Sequence, residues 1–327
     1  MTIAGRGERA RSAASARRAA RPRWGWSRVL TVVVAAAGAL LLAYPSAATW
    51  FSALRHDTDV DGYVEVIEHR TDAQNAAMIA EAEAFNATLP TGPLRDPYSA
   101  GADREATDAR VDAYLAALRV PGTAAMARVR IPSIGVDLPV LHGTDPATLA
   151  LGIGHLFGSA LPVGGPGTHA VLTGHNGVVE ATSFDDIDRL EAGDLVIVTV
   201  GGDDLVYAVE QTVTVLPTDT SALEPVPGRD LLSLVTCTPT GINSHRLIVR
   251  AERVSMPSEE LDRLVVADGS APVGPPWWVL IVIGVPLAAV VAVAPRASGG
   301  RPRGRRSPGR PSHAQPRGGA RREPTTR

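Results

Sequence analysis

The sequence predicts a mainly β domain held between two apolar segments that are long enough to cross a membrane. Three observations lead to this prediction: two uncharged apolar runs lie near the ends of the chain, arginine-rich tails flank them, and short apolar runs with a period of two fill residues 126–256. Alternation of this kind, interrupted by turn-forming residues, is typical of a compact all-β barrel or sandwich. A folded core is expected, since 45% of the 327 residues are hydrophobic and 20% are charged.

The charges are segregated along the chain. All 32 basic residues are arginines, of which eight lie in residues 1–28 and ten in residues 296–327. The middle of the chain holds 14 arginines and 32 of the 34 acidic residues, so its formal balance is −18. Basic tails beside apolar runs orient a membrane protein and contact anionic lipids. We favour this role over nucleic-acid binding and expect membrane lipids, and no nucleic acid, among the partners.

The two apolar runs predict two membrane spans. Val29–Phe51 contains 23 residues without a charge and Trp277–Ala294 contains 18, both near the roughly 20 residues that a span needs. All five tryptophans lie beside the runs or at their edges, where interfacial aromatic residues occur: Trp24, Trp26, Trp50, Trp277 and Trp278. We expect a two-pass protein of the cell membrane, with both tails inside and the region between the spans outside. The alternatives are a cleaved signal peptide for the first run and a buried core helix for the second.

Seven segments follow from these patterns. They are a basic cytoplasmic tail (1–28), a first span (29–51), a helical stalk and loop region (52–125), the β domain (126–256), a linker (257–276), a second span (277–294) and a basic, disordered cytoplasmic tail (295–327). Within the stalk region, residues 60–89 predict an amphipathic helix whose apolar spacing lapses between Ile67 and Ala73, and 106–118 predict a short helix. Strands are expected within 126–143, 169–175, 194–200, 205–216, 231–237 and 245–254.

Cys237 is the only cysteine and ends an apolar strand-like run. An intramolecular disulfide is therefore excluded, and a leftover thiol outside the cell is reactive or intermolecular unless it is simply buried. His175 follows another run and lies at its rim, where an imidazole can exchange protons near neutral pH. The turn-forming residues between Cys237 and Arg246 bring that guanidinium back beside the thiol, where it can stabilise an oxyanion. The combination favours acyl transfer, although each residue alone has an ordinary structural explanation.

The stretches VLTGHNG, with His175, and TCTPTGINSHR, with Cys237 and Arg246, resemble the active-site signature of the sortase family. The likeness covers nearly all of residues 126–253, and GHLFGSALPVGG together with CTPTGINSHR resembles class C, the pilus-building branch. The resemblance implies a closed eight-stranded sortase-type β-barrel on the surface of a Gram-positive cell. It further implies a cysteine transpeptidase with no cofactor and no metal, in which Cys237 forms a thioester, His175 protonates the leaving amine and Arg246 holds the substrate.

The resemblance also implies substrates and a lid. The substrates are pilins and surface proteins with an LPXTG-like sorting signal, cleaved between Thr and Gly, and the acceptor is a lysine of the next pilin subunit. Asp96, Pro97 and Tyr98 resemble the lid motif of pilin sortases, in which Trp or Phe usually stands in place of Tyr98. Two alternatives stay open: a sortase that attaches proteins to peptidoglycan, and a non-catalytic extracellular β-barrel scaffold in which Cys237 is merely buried.

Overall fold

The computed structural model describes residues 24–90, 92, 94–96, 98, 108–178, 183–257, 259–261, 263 and 274–294. Most of the two basic tails and of the linker, as well as Pro97, lie outside the described residues. The helices are α1 (Trp26–Glu68), α2 (Asp72–Asn86), α3 (Asp108–Ala116), α4 (Pro146–Leu149) and α5 (Trp278–Val293). The strands are β1 (Ala125–Ile131), β2 (Val136–His142), β3 (Ile153–His155), β4 (His169–Thr173), β5 (Leu195–Val200), β6 (Asp203–Val215), β7 (Leu231–Thr238) and β8 (His245–Arg253).

The eight strands form a closed barrel in the order β1-β2-β3-β4-β7-β8-β6-β5. The pairs β2–β3 and β4–β7 are parallel and the other described pairs are antiparallel. The predicted eight-stranded barrel is confirmed. The six apolar runs contained seven of its strands, because β1 and β2 share one run. The short β3 was missed, since three residues are too few for the alternation to show.

The helical region differs from one continuous helix over residues 60–89. α1 begins in the apolar run, passes through Pro45 and ends at Glu68, and α2 starts after a separate N-cap, Thr71. The Thr71 side chain accepts a hydrogen bond from the Gln74 N–H at 3.3 Å, and the Gln74 side chain accepts one from the Thr71 N–H at 2.9 Å. This reciprocal capping box satisfies two N–H groups that a helix start leaves without a partner. The break lies where the apolar spacing lapses.

The end of α1 packs against the barrel. Tyr63 is 1% exposed, and its hydroxyl donates to the Met126 carbonyl at 3.3 Å and accepts from the Gly201 N–H at 3.2 Å. Met78 and Ala82 of α2 are buried in the same core cluster as the interior of the barrel. Both helices are therefore part of the packed domain, and α2 leads directly into the segment that carries Asp96 and Tyr98.

The apolar helices α1 and α5 contact each other. Trp50 donates its indole N–H to the Gly274 carbonyl at 2.7 Å, and the rings of Trp50, Phe51 and Trp278 lie within 6.2 Å of one another, centroid to centroid. Among the described residues, α1 alone is both long and apolar enough to cross a membrane. α5 has 16 residues, fewer than a typical span, so the structure supports the first predicted span more strongly than the second.

Candidate active site

Strand register places the thiol opposite the guanidinium. In the antiparallel pair β7–β8, Cys237 and Arg246 are direct partners. Both residues are 9% exposed. Side chains of directly opposite residues project from the same face of a sheet with Cβ atoms about 5 Å apart. The sequence prediction that the loop after Cys237 returns Arg246 to its side is borne out in the geometry of this hairpin.

His175 lies on the other side of Cys237. β4 runs parallel to β7 with Thr173 opposite Val235, and the ladder continues when the Gly174 N–H donates to the Val235 carbonyl at 3.1 Å. Beyond His175, the Asn176 amide donates to the Cys237 carbonyl at 3.2 Å. Bonds on both sides of His175 thus hold it level with Cys237 at the end of β4. His175 is half-buried.

The outer surface of the barrel forms the floor of the site. Alternate residues of β4, β7 and β8, such as Leu172, Leu234 and Val249, face the main core inside the barrel. Their neighbours Val171, Val235 and Ile248 instead form a second, separate cluster. Because side chains of a strand alternate between faces, Cys237 and Arg246 share the outer face with this second cluster. We call this outer surface of β4, β7 and β8 the groove floor.

A segment from residue 94 to 98, which we call the lid, covers the groove floor. Leu94 and Tyr98 pack against the second cluster. Asp96 accepts two hydrogen bonds from the Arg246 guanidinium, from Nε at 2.6 Å and from Nη2 at 2.8 Å. The side chains of Arg246 and Asp96 in this ion pair are 10% and 9% exposed, respectively. A two-pronged pair shielded from water fixes the lid firmly on the arginine.

The Tyr98 side chain lies over Arg246 and His175 and covers the site. Its ring lies 4.9 Å from the Arg246 guanidinium carbon and 6.2 Å from the His175 ring, measured from the centroid of the Tyr98 ring in each case. The hydroxyl donates to the Gly174 carbonyl at 2.5 Å and approaches the Val235 carbonyl at 3.3 Å. Burial raises the pKa of Tyr98 well above its usual value, so this hydroxyl stays protonated. Pro97 lies outside the described residues.

Burial shifts the pKa values of Cys237 and His175 in opposite directions. It raises the pKa of the Cys237 thiol, and Asp96 adds to the rise, while Arg246 and a hydrogen bond from Tyr98 oppose it. Burial also lowers the pKa of His175. Both shifts disfavour a thiolate–imidazolium pair while the lid covers the site.

Three other histidines of the barrel have backbone or hydroxyl partners. His155 is fully buried, with one ring nitrogen 3.0 Å from the Tyr114 hydroxyl and the other 2.8 Å from the Ala160 carbonyl, and burial lowers its pKa to about 4. His169 contacts the Glu224 carbonyl at 3.0 Å and the Ser233 hydroxyl at 2.8 Å. His142 contacts the Ala117 carbonyl at 2.8 Å. Within the described part of the chain no three His, Cys, Asp or Glu side chains are grouped as metal ligands would be.

Two residues of the site were missed from the sequence. Asn176 links Cys237 to the following loop, because its amide donates to the Cys237 carbonyl and its side-chain oxygen accepts from the Thr240 hydroxyl at 3.0 Å. Leu94 is the second of these residues. An isolated leucine two residues before Asp96 was a usable signal, since a lid that lies on an apolar floor needs an apolar anchor.

Comparison with known proteins identifies the family. Residues 129–254 match the family model described as the sortase domain. The crystal structure of sortase C-1 from Actinomyces oris shares 48% identity, covers 56% of this chain and 99% of its own, and superposes with a TM-score of 0.53. The chain belongs to the sortase family. The resemblance to class C sortases is confirmed as well, since this neighbour and sortase C of Streptococcus pneumoniae both carry that name.

Two further comparisons define the extent of the likeness. The S. pneumoniae sortase C structure is 34% identical, covers 60% of this sortase and 96% of its own chain, and has a TM-score of 0.53. Sortase A of Bacillus anthracis is 32% identical over 127 residues, which are 39% of this chain and 59% of that protein. This sortase spans between 51% and 63% of the length of the curated relatives that it matches.

Proposed function

We propose that this sortase is a membrane-anchored cysteine transpeptidase that cleaves an LPXTG-like sorting signal between Thr and Gly and transfers the acyl group to a lysine amine of a pilin. One observation carries the proposal: Cys237 is a direct partner of Arg246 across β7–β8 and is level with His175 at the end of β4. Nucleophile, proton carrier and permanent cation thus converge on one face of the barrel, as acyl transfer requires.

The chemistry follows from the roles of the three side chains. His175 takes the proton of the Cys237 thiol as the sulfur attacks the threonine carbonyl, and Arg246 stabilises the negative charge that develops on the carbonyl oxygen. His175 then gives this proton to the departing glycine amine, which leaves a thioester on Cys237. A lysine amine next attacks the thioester, and His175 passes the surplus proton of the amine to the departing Cys237 sulfur as the isopeptide bond forms. Because the thioester conserves the energy of the cleaved amide, the transfer needs no nucleotide.

The lid controls this chemistry by occupying the groups that the substrate needs. With Asp96 paired to Arg246 and Tyr98 over His175, the guanidinium cannot reach an oxyanion. Turnover therefore requires the lid to leave the groove floor, and the closed form is a resting state.

Two features favour pilin polymerisation over attachment to peptidoglycan. The lid closes over the arginine, as the class C resemblance implies, and a second apolar helix, α5, packs against α1. Among the similar structures, sortase C of S. pneumoniae is associated with pilin substrate specificity. We place the barrel outside the cell membrane, with α1 and α5 crossing it and both basic tails inside.

The decisive experiment incubates the full chain, in detergent or vesicles, with a pilin that carries an LPXTG-like signal. We expect a ladder of covalent pilin oligomers that disappears with Cys237→Ala and with Arg246→Gln. Arg128→Gln is the matched control, because Arg128 pairs with Asp137 between β1 and β2, outside the site, and the ladder should persist. A ladder that survives Cys237→Ala contradicts the proposal and favours the scaffold alternative. Products linked to peptidoglycan fragments instead of pilin would contradict the pilin acceptor.

A further inference from the structure

Thr173 is a buried hydroxyl in the groove floor that lacks a partner. The side chain is 0% exposed, and its Oγ1 makes no hydrogen bond within the described part of the chain. Buried polar atoms in folded proteins are nearly always paired, and leaving one unpaired costs about 1–3 kcal/mol. A hydroxyl that stays unpaired in the closed form therefore calls for a partner that arrives in another state.

The position of Thr173 points its hydroxyl toward the substrate side of the sheet. In β4, Ala170 and Leu172 face the barrel interior, whereas Val171 belongs to the outer cluster beneath Leu94 and Tyr98. Alternation then puts Thr173 on the outer face, between Val171 and His175. Its partner across the β4–β7 pair is Val235, another member of the outer cluster.

The lid shows the direction in which the groove runs. Tyr98 lies against His175 just after the end of β4, whereas Leu94 lies beside Gly158 and lines a cavity with His169, the first residue of β4. An extended chain that starts at Cys237 and follows the same floor passes Thr173 and then reaches apolar side chains. The leucine and proline of a sorting signal suit that apolar end, so the part of the signal upstream of the scissile bond lies over Thr173.

Strand geometry selects one peptide group. Thr173 precedes His175 by two residues, which is about 6.6 Å along a strand. In an extended Leu-Pro-X-Thr-Gly segment, the peptide group about 6.6 Å upstream of the scissile carbonyl is the one that joins Pro to X. We propose that the Thr173 hydroxyl binds this Pro–X peptide group and is a specificity-determining residue of the groove. The inference rests on the proposed function and adds a contact that the three reactive side chains do not supply.

The substrate contact explains the unpaired hydroxyl in physical terms. In the closed form the lid covers the floor, and Oγ1 of Thr173 has no hydrogen-bond partner among the residues that the structure describes. When a signal replaces the lid, the hydroxyl gains a hydrogen bond and the cost of its burial is removed. Substrate binding is thereby favoured over lid closure by the same side chain.

The test compares Thr173→Val, which keeps the shape and removes the hydroxyl, with Thr173→Ser, which keeps the hydroxyl. The probe is an internally quenched peptide that contains Leu-Pro-Ala-Thr-Gly, cleaved by the full chain. We expect Thr173→Val to raise KM about tenfold, which corresponds to about 1.4 kcal/mol, with kcat little changed, since the lost hydrogen bond forms in ground and transition states alike. Thr173→Ser should stay close to wild type. The melting temperature of Thr173→Val should not fall, because an unpaired hydroxyl is removed.

A second peptide, in which an ester replaces the Pro–X amide, identifies the contact. The ester removes the N–H and weakens the carbonyl as an acceptor, so it should impair the wild type about as much as Thr173→Val does and should not impair that variant further. Additive effects, an unchanged KM in Thr173→Val, or a loss that Thr173→Ser does not restore would each overturn the inference while leaving the function intact. Failure of the wild type to cleave the amide peptide, or cleavage that survives Cys237→Ala, would overturn the proposed function and the inference together.

Discussion

At the scale of residues, the group that pairs with the Arg246 guanidinium affects both the lid and the pKa of the Cys237 thiol. In the closed lid the guanidinium faces Asp96 in a buried two-pronged pair, and the pKa of Cys237 is raised by burial first and by Asp96 in addition. A free guanidinium beside the thiol acts in the opposite direction, since a cation favours the thiolate. Asp96 therefore holds the lid on Arg246 and adds to the rise in the pKa of Cys237.

Removal of the Asp96 carboxylate should activate the thiol. In Asp96→Ala, the lid loses its ion pair, Cys237 becomes more exposed, and Arg246 lowers the pKa of the thiol. Methanethiosulfonate reagents react with the thiolate, whose fraction grows as pH rises through the thiol pKa, so the pH profile of labelling should shift to lower pH. At pH 7 we expect labelling several-fold faster, because greater exposure of the thiol and a larger thiolate fraction both act in that direction.

The control for this prediction is Asp137→Ala, which removes the carboxylate partner of Arg128 away from the site. Its labelling profile should match the wild type. An Asp96→Ala profile that stays at the wild-type pH, even with faster labelling at every pH, would show that the carboxylate affects access to the thiol but not its ionisation.

The sequence was a good guide to the placement of Arg246 beside Cys237 and a poor one to the residues that surround them. Cys237 and Arg246 are joined by a short hairpin, so local turn chemistry was enough to pair them. The Tyr98 hydroxyl instead meets carbonyls 76 and 137 residues away along the chain. Contacts between residues so far apart in the chain leave no periodic signal in the sequence. The structure shows what Tyr98 provides in place of the usual Trp or Phe, namely a hydroxyl that hydrogen-bonds to the strand ends.

At the scale of elements, α2 and the lid form one connected unit. α2 ends at Asn86, whose side chain donates to the Leu161 carbonyl at 3.1 Å and accepts from the Leu161 N–H at 2.7 Å. Leu161 is fully buried, so water cannot replace these bonds readily. This clamp fixes the point from which the chain departs toward Leu94 and Asp96.

Breaking the clamp should loosen the lid as well as the fold. Asn86→Ala leaves the buried Leu161 N–H without its partner, whereas the Leu161 carbonyl keeps a hydrogen bond from the Val163 N–H at 2.8 Å. Loss of the N–H partner costs about 1–3 kcal/mol and should lower the melting temperature by several degrees. Because the lid then has a freer origin, methanethiosulfonate labelling of Cys237 should become several-fold faster. Differential scanning calorimetry and labelling kinetics on the same preparations measure both effects.

Thr71→Ala provides the comparison at the opposite end of α2. It removes the capping box at a cost of about 1 kcal/mol, far from the lid. The melting temperature should fall while the labelling rate stays at the wild-type value. Equal labelling in Asn86→Ala and Thr71→Ala would mean that α2 does not restrain the lid.

Elements were predictable where a local pattern was long enough. The strands of five or more residues were found by alternation, whereas β3, with three, was not. The separation of α1 from α2 had two signals in the sequence, the lapse in apolar spacing and a Thr71-to-Gln74 capping pattern, and only the first was noticed.

At the scale of the whole molecule, closure of the barrel lies beyond what the apolar pattern can specify. Alternation allows a barrel or a sandwich equally, because both bury one face of each strand. The order β1-β2-β3-β4-β7-β8-β6-β5 places β4 beside β7 through residues more than 60 positions apart, and this pairing is what levels His175 with Cys237. The closed fold was implied by the family resemblance and not by the residue pattern.

α1 connects the apolar end of the chain to the barrel without a break. Its 43 residues extend for about 64 Å, of which roughly 30 Å suffices for the hydrocarbon core of a bilayer. The remainder carries Tyr63, which is packed in the barrel. In the topology proposed above, this continuous helix holds the barrel, and with it the groove, at a fixed distance from the membrane.

Membrane topology can be tested with single cysteines in a Cys237→Ala background, since the chain has no other cysteine. We expect an impermeant maleimide to label Asp203→Cys, on the exposed start of β6, in intact cells. Ser12→Cys and Ser312→Cys, in the two arginine-rich tails, should react only after permeabilisation, because clustered arginines stay on the cytoplasmic side.

The sixteen residues of α5 rise only about 24 Å, so its crossing also requires flanking residues or a locally thinner bilayer. Labelling of Ser312→Cys in intact cells would show that α5 does not cross, and absence of residue 12 from the mature protein would identify the first run as a cleaved signal peptide.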